Sequence, residues 1–196
     1  MKPNTSFETV RLRFRRFTAQ DAQLIYDLDD DPEVMRYLTG GSNTPMGVVV
    51  EEILPRFMLQ AEPASPLGFW AIEEKASYAF VGWVSLRREN RASTRAVLGY
   101  RLRRQAWGNG YATEAAGWIM NQAFSQVDVA LIVATTYEAN LGSRRVMEKL
   151  GMRHVRSFRL TPEDLQTSDT SHQESEEVWD GDDVEYAITR EEWGEG

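Results

Sequence analysis

Two glycines separated by a single residue stand where a predicted strand passes directly into a predicted helix. The stretch is RQAWGNGYATEA, residues 104–115, and it contains Gly108 and Gly110. The segment 97–103 before it is predicted as a strand, and the apolar residues after it recur at spacings of three and four, which is typical of an amphipathic helix. This junction predicts βα units in the second half of the chain.

The start of such a helix is a predicted binding site for an anion. The first N–H groups of a helix have no partner within the helix, and the helix dipole directs its positive end outward. Glycine at positions 108 and 110 permits positive φ and lets a phosphate or pyrophosphate approach these groups without meeting a Cβ. A glycine pair that serves only the turn is the alternative interpretation.

The first half of the chain is predicted to contain strands and short helices. The periodicity of apolar residues and the positions of capping residues, glycines and prolines define them. The predicted elements are a strand at 10–15 that includes Val10, a helix capped by Thr18, a short helix that Pro32 begins and Gly40 ends, a helix at 45–61 that Pro55 interrupts, and a hairpin at 68–88.

The second half adds two strands and a helix before a long polar segment. Residues 130–137 are β-branched and predict a strand, Asn140 caps a helix that Gly151 ends, and 152–160 is extended. Residues 161–183 are acidic and almost free of apolar residues, so a long loop is predicted there. A terminal strand at 184–190 then returns to the sheet, which predicts one domain, 1–196, with a mixed α/β (α+β) sheet.

Residue usage excludes several kinds of chemistry. The chain has no cysteine, which excludes disulfides, thiolate metal sites and an enzyme thiol as nucleophile. His154 and His172 are the only histidines, so neither a histidine metal cluster nor a Ser-His-Asp triad is expected. No apolar run approaches the roughly 20 residues needed to span a bilayer, and the N-terminus lacks the regions of a secretory signal, so a cytoplasmic protein is expected.

Charge is distributed unevenly along the chain. Residues 162–196 hold 13 acidic residues and one basic residue, which leaves 17 of the 30 acidic and 21 of the 22 basic residues in the first 161 positions. The basic body favours an anionic cofactor, and the acidic flank favours a cationic substrate. The alternative is that the acidic segment is simply a solvated loop.

Several ordered blocks resemble the GCN-type N-acetyltransferases, and within them the ribosomal-protein N-terminal acetyltransferases of the Rim type. Residues 105–110, QAWGNG, are similar to the family's Q/R-x-x-G-x-G/A pyrophosphate loop, and WGNGYATEA resembles the W-G-x-G-Y-A-T-E-A of that branch. Residues 140–152, NLGSRRVMEKLGM, resemble its N-x-x-S-x-x-V-x-E-K-L-G-F. The beginning, RLRFRRFTAQDA with DPEVMRYL, and the end, VEYAITREEW, are also similar to this branch.

The resemblance implies a fold and an activity. The expected fold is a single-domain, GNAT-like mixed sheet that is mostly antiparallel, with a central splayed parallel strand pair and flanking helices. The expected activity is transfer of the acetyl group of acetyl-CoA to a primary amine, on a peptide N-terminus or a small molecule, by direct attack in a ternary complex. No metal, nucleic acid or membrane partner is implied, and a monomer or homodimer is expected.

The resemblance also implies where the cofactor binds. The pyrophosphate is expected on the amides of the loop at 107–113, and pantetheine along the strand at 100–103, where unpaired backbone groups bind it as another strand would. The implied cofactor-binding residues are Tyr100, Leu102, Arg103, Gln105, Trp107, Gly108, Asn109, Gly110, Tyr111, Ala112, Thr113, Asn140 and Ser143.

Catalytic residues are less clearly implied. Many family members place a tyrosine seven residues after the asparagine to protonate the thiolate, but this position is Met147 here. Ser143 matches a serine that the Rim-type branch can use near the thiol, so it is the expected acid, with simple cofactor contact as the alternative. Glu138 is the expected base, although relatives often use the strand position that is Val97 here, and water-mediated deprotonation is the alternative.

Two other function classes remain open from the sequence. The absent phenol at Met147 suggests a non-catalytic acyl-CoA-binding or sensing module that keeps the loop without turnover. A nucleotide-binding protein that uses the same turn is the third hypothesis, although the chain contains neither G-x-x-x-x-G-K-[ST] nor the third glycine of G-x-G-x-x-G.

Overall fold

The computed structural model describes residues 7–59, 65–159 and 181–194. These residues form one eight-stranded sheet with helices on both faces, in agreement with the predicted mixed α/β class. Most of the predicted acidic loop at 161–183 lies outside the described residues, as does His172. Within the three described ranges, no helix has the length and apolar character needed to cross a bilayer.

The strands lie at both ends of the described first half of the chain and alternate with helices in the second half. Their bounds are β1 Phe7–Glu8, β2 Leu12–Arg15, β3 Gly68–Glu74, β4 Phe80–Arg88, β5 Arg95–Leu102, β6 Leu131–Tyr137, β7 Arg153–Phe158 and β8 Asp183–Thr189. The predicted first strand was wrong at its start, because Val10 is 89% exposed in the turn between β1 and β2.

The helices are mostly short in the first half, and the longest one follows the glycine turn. Their bounds are α1 Ala22–Asp29, after a 3₁₀ turn at Ala19–Asp21; α2 Pro32–Met35; α3 Met46–Val48; α4 Leu54–Leu59; α5 Tyr111–Gln126, after a 3₁₀ turn at Arg104–Ala106; α6 Leu141–Lys149; and α7 Arg190–Gly194. Thr18 and Asp21 form the predicted capping box.

Pro55 does not interrupt its helix, contrary to the sequence prediction. A π-helical turn at Val49–Ile53 joins α3 to α4, and the N–H of Leu54 donates to the carbonyl of Val49, five residues back. Proline has no N–H and its ring crowds the carbonyl four residues before it, so a widened turn lets the helix continue. The sequence shows Pro55 but does not reveal the π-helical turn that accommodates it.

The sheet is antiparallel except at its centre. Its strand order is β1-β2-β3-β4-β5-β6-β8-β7, and β5 and β6 are the parallel pair. Their pairing covers only Arg95 to Val97 of β5 and Leu131 to Val133 of β6, and both strands continue beyond it. The predicted splayed central pair is therefore confirmed.

The returning strand β8 lies inside the sheet rather than at its edge. It pairs antiparallel with β6 on one side and with β7 on the other. It starts at Asp183, one residue earlier than predicted, and ends at Thr189, where α7 begins at Arg190. The Arg190 guanidinium donates to the carbonyls of Val127 and Val129, which fixes this end of the chain against the start of β6.

Two apolar cores lie on opposite faces of the sheet. One core packs α5 and Met147 of α6 against one face, and its strand residues include Val84 and Leu98. The other packs α1 to α4 against the opposite face, where the aromatic rings of Phe57 and Phe69 stack with centroids 3.8 Å apart. Because successive strand residues point to opposite faces, each residue of β4 and β5 can be assigned to one core or the other.

We predict that Gly82→Ala destabilises the fold strongly. Gly82 has φ of +144°, and a Cβ there would lie 2.2 Å from the carbonyl oxygen of Arg101 and 2.7 Å from the Cα of Leu102. Backbone atoms cannot move aside cheaply, so the free energy of unfolding should fall by about 3 kcal/mol or more. Thermal or denaturant unfolding measures it. The control Gly47→Ala places its Cβ in α3 with no atom within 4 Å and should not lower the midpoint.

Candidate functional site

The glycine turn presents a row of N–H groups without protein partners. Gly108 and Gly110 have φ of +77° and +78°, a region that side chains disfavour, and α5 begins directly after them. The first helical hydrogen bond runs from the N–H of Glu114 to the carbonyl of Gly110, at 3.0 Å. Among the described residues, the N–H groups of 108–113 donate to no other protein group. This end of a 16-residue helix can therefore receive an anion.

A residue from the other end of the chain holds the turn in place. Arg11 donates from Nη1 to the carbonyl of Asn109 at 2.8 Å and from Nε to the carboxylate of Glu114 at 2.7 Å. Thr9 Oγ1 donates to the same carboxylate at 2.5 Å. Burial raises the pKa of Glu114, but these hydrogen bonds outweigh burial and leave the pKa below its usual value. Sequence reasoning missed Arg11, because an alternating run of arginines also predicts a solvated strand face.

A cavity of about 1000 Å³ opens beside the turn. It is lined by β5 and β6 where the two strands no longer pair, by the turn and first residues of α5, and by the start of α6. On the other face it is lined by α2 and by residues within 52–57. The cavity thus joins the anion-binding turn to the face of the sheet covered by α1 to α4. Such a space can bring two ligands together at the gap between the strands.

A chain of hydrogen bonds orders the start of α6 at this gap. The side chain of Asn140 accepts from the N–H of Ser143 at 3.2 Å, as an N-cap does, and donates to Thr136 Oγ1 at 3.1 Å. The Ser143 hydroxyl lies 3.0 Å from the Tyr100 hydroxyl, which also donates to the Ser143 carbonyl at 3.0 Å. The predicted residues Tyr100, Asn140 and Ser143 therefore meet in the cavity wall.

The phenol beside Ser143 belongs to Tyr100 on β5, whereas the family pattern places a tyrosine seven residues after Asn140. Met147 is fully buried in the core and provides no hydroxyl. Burial raises the pKa of the Tyr100 hydroxyl, although its hydrogen bond with Ser143 opposes the shift. The phenol therefore keeps its proton at neutral pH. Residue spacing could not identify this pairing, because Tyr100 and Ser143 are 43 positions apart.

Most of the predicted cofactor-binding residues line the cavity, and a few do not. Those that line it are Tyr100, Leu102, Trp107, Gly108, Gly110, Tyr111, Ala112, Thr113, Asn140 and Ser143. Three others lie outside its wall: Arg103, Gln105 and Asn109. Gln105 is exposed in the 3₁₀ turn, and the Asn109 side chain donates to the carbonyl of Trp107 at 3.3 Å.

The arginines before the turn face acids of the first helices. Arg103 lies 3.5 Å from the carboxylate of Asp27, and Arg104 lies 3.4 Å from that of Asp31. The Trp107 side chain, by contrast, is held against the end of β5, since its indole N–H donates to the carbonyl of Leu102 at 2.9 Å. Sequence spacing placed Arg103 near the phosphates because it could not show that α1 lies beside this end of β5.

The expected base Glu138 does not lie with the other site residues. Its side chain is exposed and does not line the cavity. Its backbone N–H donates to the carbonyl of Asp182 at 2.9 Å, and its carbonyl accepts from Arg144 at 3.1 Å. Glu138 therefore lies outside the cavity wall that contains Ser143. Val97, by contrast, lines the cavity as an aliphatic side chain.

The opposite end of the cavity has an aromatic wall and a buried ion pair. Phe57, Phe69 and Trp83 pack together, with the Phe69 and Trp83 ring centroids 5.5 Å apart. Asp29 is fully buried and pairs with Arg101 at 2.5 Å. These residues join α1 and α4 to β3, β4 and β5, so this wall depends on the tertiary arrangement of five elements.

Comparisons with known proteins agree with this geometry. Residues 11–153 match the family described as the acetyltransferase (GNAT) domain. The chain is 30% identical over 200 residues to FsC-acetyl coenzyme A-N(2)-transacetylase of Aspergillus fumigatus, covering 98% of this chain and 80% of that protein.

Solved structures share the fold. A GNAT-family acetyltransferase from Bacillus anthracis superposes with a TM-score of 0.75 at 23% identity, covering 95% of this chain and 99% of the other. Mycobacterium smegmatis RimJ in complex with CoA-disulfide superposes with a TM-score of 0.71 at 21% identity, covering 92% and 83%.

The family resolves the choice among enzyme, sensing module and nucleotide-binding protein in favour of the enzyme. Its members transfer an acetyl group from acetyl-CoA to an amine, and the match covers the glycine turn, the splayed strands and α6. This chain belongs to the GNAT family of acetyltransferases and is an acyltransferase enzyme.

Proposed function

We propose that this chain transfers the acetyl group of acetyl-CoA to a primary amine by direct attack, with both substrates bound in the one cavity. The observation that carries the proposal is the set of N–H groups at 108–113 that have no partner among the described residues. They surround two glycines of positive φ, at the end of a helix whose dipole favours negative charge. The diphosphate of the cofactor fits there because no Cβ of Gly108 or Gly110 stands in its way.

The pantetheine arm then extends along β5 toward the gap between the strands. Beyond Val97 this edge of β5 has lost its pairing with β6, so its backbone groups are available to an extended ligand. The Tyr100 and Leu102 positions line this path, and Asn140 lies across it at the start of α6. In this arrangement the thioester lies beside Ser143.

Ser143 is proposed to donate a hydrogen bond to the departing thiolate, which takes its proton from water in the cavity, and Tyr100 is proposed to position the serine hydroxyl. The Tyr100 hydroxyl lies 3.0 Å from both the carbonyl oxygen and the hydroxyl oxygen of Ser143, so it can donate to the serine hydroxyl and leave the serine proton directed at the sulfur. A thiol is a good leaving group, so positioning supplies much of the rate enhancement and this donor adds to it.

The amine is proposed to lose its proton to water rather than to a carboxylate. Glu138 lies outside the cavity wall, and Val97 occupies the strand position where relatives often have an acid. Asp29 lines the cavity but is engaged by Arg101 and Thr44. Water that enters the open side of the cavity can carry this proton to solvent.

The acceptor is proposed to be a peptide N-terminus or a small-molecule amine. The name of the Aspergillus relative, FsC-acetyl coenzyme A-N(2)-transacetylase, supports acetyl transfer to a nitrogen atom, which both acceptor classes provide. The similarity of residues 104–115 and 140–152 to the Rim-type branch favours a peptide. The cavity is large enough for either class at its outer end.

The diphosphate assignment predicts a charge effect at Gly110. Asn and Asp have nearly the same shape and tolerate positive φ similarly, so their difference isolates the added negative charge. Gly110→Asp should bind coenzyme A about 10-fold more weakly than Gly110→Asn, because a carboxylate there repels the diphosphate. Calorimetry at fixed ionic strength measures it, with thermal unfolding as the control. Equal affinities would reject the diphosphate site.

The assignment of Ser143 predicts a loss of rate without a matching loss of cofactor affinity. Ser143→Ala should lower kcat about 100-fold while the Kd for acetyl-CoA changes little, because the hydroxyl acts on the leaving thiolate. Tyr100→Phe should give a smaller loss of the same kind, since the serine hydroxyl remains but is less well oriented.

The matched control for these two variants is Ser125→Ala. Ser125 is exposed on α5, outside the cavity wall, so its variant should keep the wild-type rate. Thiol release and cofactor binding are measured for all three. A Ser143→Ala enzyme with an unchanged kcat would remove the serine from the mechanism.

A further inference from the structure

A group of buried hydrogen-bond donors in the cavity wall has no acceptor among the described residues. It includes the indole Nε1 of Trp83, the hydroxyl of Ser85 and the Nε of Arg101. Trp83 is 4% exposed, Ser85 1%, and the Arg101 side chain 10%. Buried donors are nearly always hydrogen-bonded in folded proteins, so three in one wall require an explanation.

These donors form a compact group on two neighbouring strands. In the antiparallel ladder of β4 and β5, Trp83 lies opposite Arg101 and Ser85 lies opposite Gly99. Opposite residues project from the same face, here the face covered by α1 to α4. We call Trp83, Ser85, Gly99 and Arg101 the donor patch.

The glycine of the donor patch provides space rather than an unusual backbone conformation. Gly99 is not among the glycines of positive φ, so other residues can adopt its backbone conformation. A Cβ at this position would lie 3.0 Å from the Ser85 hydroxyl and 3.5 Å from the Trp83 ring. The Ser85 hydroxyl is therefore directed into the space that Gly99 leaves open.

The nearby protein acceptors are already engaged. The carboxylate of Asp29 accepts from Nη1 of Arg101 at 2.5 Å and from Thr44 at 3.2 Å. Trp83 Nε1 and Arg101 Nε can only donate, and the Ser85 oxygen is the one side-chain atom of the patch that can also accept, so the patch needs more acceptor oxygens than it contains. A ligand that completes the patch must supply such oxygens.

We propose that the donor patch binds an acyl-type oxygen, an amide carbonyl or a carboxylate, carried by the amine acceptor. This inference deepens the proposed function and rests on it. Gly99 lies two residues beyond Val97, the last β5 residue that pairs with β6, and projects from the same face, so an oxygen at the patch lies beside the gap between the strands. The acceptors are therefore amino-acid-like amines with an oxygen next to the amine, and simple alkylamines and polyamines are poor acceptors.

The aromatic wall beside the patch determines the choice of probe. Phe57 and Phe69 stack next to Trp83, and all three line the cavity. We therefore test phenylalaninamide, phenylalanine and 2-phenylethylamine, which share a phenyl ring and a primary amine. The amide carries a neutral carbonyl, the amino acid a carboxylate, and 2-phenylethylamine neither.

Thiol release with acetyl-CoA gives kcat/KM for each amine. We expect the better of the two oxygen-bearing amines to exceed 2-phenylethylamine by about 10-fold or more, because a site built to bind an oxygen rejects an analogue that lacks it. Comparison of phenylalaninamide with phenylalanine shows whether the donor patch prefers an amide carbonyl or a carboxylate. A ratio near one in the wild-type enzyme overturns the proposal.

Two variants separate this preference from differences in amine basicity. Ser85→Ala removes the hydroxyl, and Gly99→Ala fills the space before it. Each should lower the ratio of oxygen-bearing amine to 2-phenylethylamine by about 10-fold. The controls Ser125→Ala and Gly47→Ala, both outside the cavity wall, should leave the ratio unchanged. Equal losses for all amines in Ser85→Ala and Gly99→Ala contradict a role in acceptor selection.

Failure of the proposed function has a different signature, namely no thiol release with any amine. Equilibrium binding then still tests the patch, with N-acetylphenylalaninamide and N-acetyl-2-phenylethylamine titrated into the enzyme in the presence of coenzyme A. Tighter binding of the amide, reduced by Gly99→Ala, supports the inference. Equal affinities overturn it whatever the enzyme's activity.

Discussion

The early end of pairing between β5 and β6 is the constraint on which the site depends. Each strand keeps its outer partner along its length, β5 with β4 up to Leu102 and β6 with β8 up to Tyr137, so the two diverge after Val97 and Val133. Divergence leaves strand edges without their usual partners and opens a space through the middle of the sheet. The cavity exists because the sheet twists apart at the one place where its strands run parallel.

Contacts distant in sequence keep this opening in shape. Arg11 and Thr9 hold the first turn of α5 through Glu114, and Arg190 fixes the start of β6. Tyr100 on β5 holds the start of α6 through Ser143. The turn, the strands and α6 are therefore tied to three separate parts of the chain, which gives both ends of the cavity a defined geometry before any ligand binds.

Local sequence patterns predicted the helices and strands that form the site. They did not predict features that depend on packing against residues distant in sequence. The glycine turn, α5 and β6 follow from glycine conformation and apolar periodicity, which are properties of the local chain. The helix interruption predicted at Pro55 was wrong because a π-helical turn accommodates the proline. The strand start predicted at Val10 was wrong because a single exposed residue also fits the alternating pattern of a strand. Arg103 and Glu138 lie outside the cavity wall, so their roles in cofactor binding and catalysis stay predictions. The single domain spanning the whole chain stays a prediction.

The sequence by itself determined the glycine turn before α5, the absence of cysteine chemistry and the family. These depend on residue identity and short-range spacing, which are independent of how distant segments pack. Only the tertiary structure decided that β8 inserts between β6 and β7, that the phenol near Ser143 comes from Tyr100, and that Trp83, Ser85 and Arg101 share one wall. Strand order and register bring such residues together, and both are set by the burial of two cores across the whole sheet rather than by any local segment.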